Sequence, residues 1–181
     1  MSVEKIDRKI SVIFATDVVD YSLHMEKDES GTVTSLRTYE KILKQAFKKH
    51  GGRLFNTGGD SFLAEFSSAV KAVECAVDFQ NIVKEKNIKP ALSFRIGINA
   101  GDVILQKKNL LGDGVNVAAR LEQLSQPDGI TISKSIFDYI EGKLDLEIQD
   151  LGIQQVKKNT FHAFDILLAV SYTHLTLPTK A

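Results

Sequence analysis

The groups in this chain that could do chemistry fall in three short stretches, each placed where an apolar run breaks. Asp17 closes the first, in Phe14-Ala15-Thr16-Asp17-Val18-Val19-Asp20-Tyr21-Ser22. Asp60 follows paired glycines in Asn56-Thr57-Gly58-Gly59-Asp60-Ser61-Phe62. Asn116 and Arg120 stand four apart in Leu111-Gly112-Asp113-Gly114-Val115-Asn116-Val117-Ala118-Ala119-Arg120, a spacing that puts both on one helix face. Asp17 and Asp60, with no His or Cys beside them, make a hard oxygen site suited to Mg²⁺ or Mn²⁺. Mg²⁺ binds through one or two carboxylates plus substrate phosphates, so the natural ligand is a nucleoside triphosphate. Two such ions would activate an attacking oxygen and stabilise a leaving pyrophosphate. Asn116 and Arg120 would then donate to the charge that develops on the transferred phosphorus. Alone, Asp60 reads more readily as a solvated turn aspartate; the other two stretches give it weight.

Strands and helices must bring these groups together. Lys9 to Thr16 is β-branched and apolar, a strand that ends at Asp17. Asp28-Glu29-Ser30-Gly31 is expected as a loop. From Thr32 to Lys49 the apolar residues Val33, Leu36, Tyr39, Ile42, Leu43, Ala46 and Phe47 recur at helical spacing, and His50-Gly51-Gly52 stops that helix. Short apolar segments on both sides of Gly58-Gly59-Asp60 predict a hairpin, the glycines supplying positive φ. Ser67 or Ser68 can cap a second helix, which carries Val70, Val73, Ala76, Val77, Phe79 and Ile82. Ala91 to Ala100 alternates as a strand, and Gly101-Asp102 is expected to turn it into Val103-Ile104-Leu105. Beyond polar Gln106 to Asn109 come a helix over Val115 to Leu124, a turn at Pro127-Asp128-Gly129 and the strand Ile130-Thr131-Ile132. Ser133 caps a short helix to Ile140, and strands near Leu146 to Leu151 and Phe161 to Leu168 close the pattern. This mixed order predicts an α+β fold: a ferredoxin-like βαββαβ sandwich with a mostly antiparallel sheet, helices on one face and additional C-terminal elements.

At 181 residues the chain suffices for one domain, placed at 1–170. Its 23 basic and 23 acidic residues balance, which argues against a general nucleic-acid or membrane-surface binder. The single cysteine, Cys75, forms no internal disulfide and lies in an apolar helical pattern as a buried thiol. No apolar run approaches the roughly 20 residues needed to span a bilayer, and Met1 to Arg8 lacks a signal-peptide core. A cytoplasmic location is therefore expected. Residues 171–181, Thr- and Leu-rich and nearly uncharged, look like a non-native tail outside the domain.

Taken in order, the three stretches resemble the catalytic domain of class III nucleotidyl cyclases, the adenylate and guanylate cyclases, from about Ile10 to Leu168. The run Asn116-Val117-Ala118-Ala119-Arg120 carries most of the specificity. The resemblance implies that Asp17 and Asp60 bind two Mg²⁺ or Mn²⁺ ions, with the Val18 carbonyl assisting. It also implies that Asn116 and Arg120 stabilise the transition state as a nucleoside triphosphate closes to its 3′,5′-cyclic monophosphate. Family sites of this kind form across a dimer interface, so a homodimer with two equivalent sites is expected, and a monomer should be inactive. The Gly-Gly-acid turn is similar to that of diguanylate cyclases too, but that family has no reason to carry the Asn116 and Arg120 helix.

The likeness is incomplete. By register, the purine-reading positions fall on Asn56 and Asn109, neither of them charged, though an amide both donates and accepts. ATP is the expected substrate, with GTP the alternative. Asp20 stands where many relatives have glycine beside the phosphates; a third carboxylate there would repel a triphosphate, unless it caps a helical turn at Tyr21 and points away. Tyr21, Ser22 and, on a late loop, Lys157 are the expected phosphate contacts. Asp102 takes the place of a phosphate-binding arginine of some relatives and reads as a turn residue. His24, His50 and His162 are scattered and read as surface or helix-end residues. These departures keep a second function class open: a cyclase-like domain that binds nucleotide or dimerises with little turnover.

Overall fold

The computed structural model describes residues 5–168; the tail expected at 171–181 lies outside the described residues. Its first half is the unit β1 (Asp7–Val18), α1 (Tyr21–Lys27), α2 (Glu29–His50), β2 (Arg53–Gly58), β3 (Ser61–Phe66), α3 (Ala69–Glu85) and β4 (Phe94–Gln106). The strands of this unit lie in the order β2-β3-β1-β4 and pair antiparallel, as the ferredoxin-like reading requires. β5 (Asn109–Leu111), α4 (Asp113–Leu124), β6 (Ile130–Ser133), α5 (Lys134–Ile140), β7 (Glu147–Val156) and β8 (Asn159–Leu167) follow. They extend the sheet to β2-β3-β1-β4-β6-β8-β7, with β5 folded back onto β4 and β4–β6 paired in parallel.

β1 is apolar on both faces, and that decides the layering. Val12, Phe14 and Val18 enter a large core with Tyr39, Leu43 and Phe47 of α2, Val73 and Phe79 of α3, and Ile136 and Ile140 of α5. Phe14 meets Phe47 edge-on, with ring centroids 5.2 Å apart. Ile13 and Ala15 point the other way, into a smaller core closed by Val115 and Ala118 of α4 together with Val103 and Leu110. The helices therefore do not share one face, contrary to expectation. A strand with Ile13 and Phe14 both wholly buried needs cover on both sides, and α4 supplies it on the second.

Two further expectations are corrected. Asp28 to Gly31 is no loop: the Asp28 carboxylate accepts from the Gly31 N–H at 3.0 Å and caps α2 at Glu29. α1 precedes it and buries no residue, so it left no apolar period to read. Gly101-Asp102 is no turn, because β4 runs straight through it and pairs with β1 from Asp7 opposite Leu105 to Val18 opposite Phe94. Gly101 is there for space, since a Cβ would sit 3.3 Å from the Gly114 Cα of α4. Asp102 pairs with Arg8 at 2.7 Å. The reversal comes later, at Lys107-Lys108, with Gln106 opposite Asn109. Among the described residues, no helix is long and apolar enough to cross a membrane.

Candidate active site

Asp17 sits directly opposite Arg95 in the β1–β4 ladder. The guanidinium grips the carboxylate with both prongs, Nε to Oδ1 at 3.1 Å and Nη2 to Oδ2 at 2.8 Å, the fork geometry of a strong charge-assisted pair. This contact raises the arginine's pKa. Asp60 reaches the same strand end from the β2–β3 turn. Gly58 pairs with Ser61 around a two-residue loop of Gly59 and Asp60, and of the two glycines only Gly59 uses positive φ, +64°. Asp60 Oδ2 accepts from the Val18 N–H at 3.3 Å. Burial raises the Asp60 pKa, its own and the Val18 N–H groups pull it back in part, and the Asp17 charge raises it again. The two carboxylates thus repel each other across one strand end, and a cation there relieves both.

A third acid completes this cluster. Glu122 of α4 is 7% exposed, and burial, followed by a hydrogen bond and charge from Asp17, pushes its pKa up to about 9. Its Oε1 lies 3.2 Å from Arg95 Nη2 but is misdirected, and stays a buried oxygen without a hydrogen bond. The helix that carries it is pressed onto β4. A Cβ at Gly97 would fall 2.2 Å from the Glu122 N and 2.4 Å from the Ala118 O. On either side of Gly97, Arg95 Nη1 donates to the Gln123 O at 3.5 Å and Asn99 Nδ2 to the Gly114 O at 3.0 Å. Arg95, Gly97 and Asn99 share a strand face and hold α4 at both ends.

α4 turns Gly114, Val115, Ala118, Leu121 and Glu122 inward and leaves Asn116 exposed. Arg120 is half-buried, with an Nε that has no partner. Among the described residues neither Asn116 nor Arg120 bonds to Asp17 or Asp60. The chain brings the two carboxylates together and does not bring the Asn/Arg pair to them.

Asn56 and Asn109 do converge, lining one cavity of about 530 Å³ with Phe55, Thr57 and Gln106. Arg53 braces it, donating to the Lys108 O at 3.0 Å and to Glu65 at 2.7 Å. Asn109 Oδ1 is taken by the Leu110 N–H at 3.0 Å, which leaves its NH₂ as the free group.

The other expected contacts scatter. Tyr21 packs against the large core and Ser22 is exposed on the first turn of α1. Asp20 does not cap that helix: its φ is +54° and its side chain makes no cap bond. Its charge is the weakest of the influences that raise the Arg95 pKa. Lys157, with φ +55°, stands on the two-residue turn between β7 and β8, where Val156 pairs with Asn159. β8 runs antiparallel to β6, which is itself in register with Ile96 to Ile98. That turn therefore lies at the sheet end opposite Asp17, where α4 begins. His50 pairs with Asp78 at 3.1 Å and His162 with Asp150, while His24 offers its backbone carbonyl to Thr32 at 3.0 Å. Burial pushes the Cys75 thiol up to about 12, which leaves it inert.

Arg95 and Glu122 were missed by sequence reasoning, although each had a signal. A lone arginine between Phe94 and Ile96 needs an acid on a neighbouring strand. An acid one step past Leu121, on the apolar stripe of a helix, needs a buried partner.

A βαββαβ core with a Gly-Gly-Asp hairpin beside a strand-end aspartate defines a nucleotide-cyclase type of protein. The profile of the adenylate and guanylate cyclase catalytic domain matches residues 2–167, and the chain belongs to that family. It is 41% identical over 162 residues to a Rhizobium meliloti protein provisionally named adenylate cyclase 3, covering 87% of this chain and 28% of that one. It is 30% identical over 132 residues to the adenylate cyclase of Streptomyces coelicolor, covering 71% and 33%. The chain thus spans about a third or less of these relatives. Among solved structures, the adenylate/guanylate cyclase/hydrolase from Silicibacter pomeroyi superposes with a TM-score of 0.83 at 31% identity, covering 91% of this chain and 100% of that one.

Proposed function

We propose that this domain converts ATP to 3′,5′-cyclic AMP and pyrophosphate at two equivalent sites of a homodimer. The observation that carries the reading is the convergence of Asp17 and Asp60 at one strand end, where Val18 bridges them and both carboxylates are partly withdrawn from water. The all-oxygen donor set and the mutual repulsion of the two acids fit a pair of Mg²⁺ or Mn²⁺ ions. When bound, such ions supply Lewis acidity and a template for the triphosphate. Asp17 and Asp60 hold that end of the substrate, and the Val18 carbonyl is assigned to assist them. Asn116 and Arg120 turn away from their own carboxylates, which supports their service to a second copy's site. There they neutralise charge on the α-phosphorus as the 3′-oxygen attacks. Lys157, which lies toward the Asn116 end of its own chain, is assigned with Asn116 and Arg120 to the second copy's phosphates, Tyr21 and Ser22 to the phosphates of their own site, and Asn56 with Asn109 to the base.

One feature favours GTP as a second reading. With Asn109 Oδ1 held by Leu110, its free NH₂ suits an acceptor, and guanine presents a carbonyl where adenine presents an amino group. The test is purified protein with Mn²⁺ and either ATP or GTP, scoring cyclic product against Asp60→Ala. Cyclic AMP from the wild type and none from Asp60→Ala is the expected result. Cyclic GMP alone would support the second reading. No product from a confirmed dimer would leave the domain as a nucleotide-binding or dimerisation module.

A further inference from the structure

Arg95 has two carboxylates within reach and fully satisfies one. Asp17 takes both prongs of its fork, at 3.1 and 2.8 Å, while Glu122 Oε1 waits 3.2 Å from Nη2 with no hydrogen bond of its own. A buried acceptor without a partner is costly and rare. Glu122 cannot retreat, because its backbone rests on β4 where only a glycine, Gly97, leaves room. The guanidinium is also already tethered to the same helix through Nη1 and the Gln123 O at 3.5 Å.

A divalent cation on Asp17 cannot share that carboxylate comfortably with a bidentate guanidinium, since like charges would meet at contact distance. Arg95 must then give up at least part of its grip, and a half-buried N–H donor left without an acceptor is itself costly. We propose that Glu122 is a positioning residue that takes over Arg95 when Asp17 turns to a divalent cation, filling its vacant Oε1. The inference rests on the two-ion reading above and adds a residue to it. In this role Glu122 acts through Arg95, and the cycle with Arg95 separates it from the direct influence of Asp17 on Glu122. Glu122 also ties ion loading to α4, the helix that carries Asn116 and Arg120.

The experiment is a Mn²⁺ titration of the nucleotide-free chain, following free Mn²⁺ by electron paramagnetic resonance, in a double-mutant cycle of Glu122 and Arg95. Glu122→Met should weaken Mn²⁺ binding by about tenfold, the scale expected when an acceptor for a charged donor is removed. Glu122→Gln, which keeps one oxygen and nearly the same shape, should weaken it by about threefold, and it carries the test if the methionine variant does not fold. In an Arg95→Met background both effects should vanish, because no guanidinium is left to receive. Unchanged affinity in both Glu122 variants, or the same loss with and without Arg95, would overturn the proposal and leave a simple charge effect. Wild-type binding no tighter than that of Asp60→Ala would instead overturn the two-ion reading, and this proposal with it.

Discussion

At the residue scale, Arg95 and Glu122 show how a cluster of acids is kept folded. Asp17, Asp60 and Glu122 place three carboxyl groups around one strand end, and Arg95 is the one cation the described residues aim into them. The metal-free protein therefore keeps Glu122 protonated well above its ordinary value of 4.5, with the folded value at about 9. A raised folded pKa means the native state binds the proton more tightly than the unfolded chain. The resulting stabilisation is complete below the ordinary value and is lost as pH rises through the folded one. Urea midpoints of the metal-free protein should fall between pH 5 and pH 9, and Glu122→Gln should flatten that fall. Arg120 belongs to the chemistry instead. Arg120→Ala should lower kcat by about 10²–10³ while changing KM little, as expected for a donor that meets charge in the transition state. Single-turnover measurements with Mn²⁺ check this, and an effect confined to KM would place Arg120 in ground-state binding.

At the element scale, the junction of β4 and α4 governs the site. Three residues of one strand face do three jobs: Arg95 holds the helix end and Asp17, Gly97 lets the helix backbone touch the strand, and Asn99 holds the helix start. Gly97→Ala would drive a Cβ into backbone atoms at 2.2 and 2.4 Å, and backbone cannot yield as a side-chain tip does. The expected cost is about 1–3 kcal/mol in urea unfolding, with cyclic product lost in parallel as α4 lifts. Gly58→Ala is the control, since its new Cβ would meet only the Ser61 Oγ, at 3.3 Å, and needs no positive φ. It should stay within about 0.5 kcal/mol of the wild type. The hairpin that presents Asp60 depends on Gly59 more than on the pair of glycines the sequence displays.

At the scale of the whole molecule, the chain separates the two halves of its chemistry. Asp17 and Asp60 lie at one sheet end, while Asn116 sits near the start of α4, toward the opposite end, and faces out. A homodimer that joins one copy's carboxylates to the other's Asn116 and Arg120 makes a distinctive prediction. Asp60→Ala and Arg120→Ala, each inactive alone, should recover about one quarter of wild-type activity when mixed in equal amounts. Half the dimers would then be mixed, each with one intact site. Activity assays on the mixture after dissociation and reassociation check this; no recovery would mean that each chain builds its own site. Specific activity should also fall on dilution below the dimer dissociation constant.

What the sequence by itself determined is what local pattern can express. The β-branched, apolar run Lys9 to Thr16 and the 3.6-residue period in Thr32 to Lys49 marked β1 and α2. Ser68 and Ser133 cap α3 and α5 as expected, and the order of strands and helices was enough for the βαββαβ core. Asp17, Asp60 and the Asn116–Arg120 pair stood out because acids, amides and glycines at breaks in apolar runs are readable one stretch at a time. Only the tertiary structure decided which of them meet. It carried β4 straight through Gly101-Asp102, because pairing with all of β1 outweighs the local turn preference of two residues. It placed α4 on the second sheet face, because β1 is apolar on both. It assembled Asp17, Arg95 and Glu122 from three elements far apart in the chain. Cross-strand register and helix–strand contact are long-range quantities, and no window of neighbouring residues contains them.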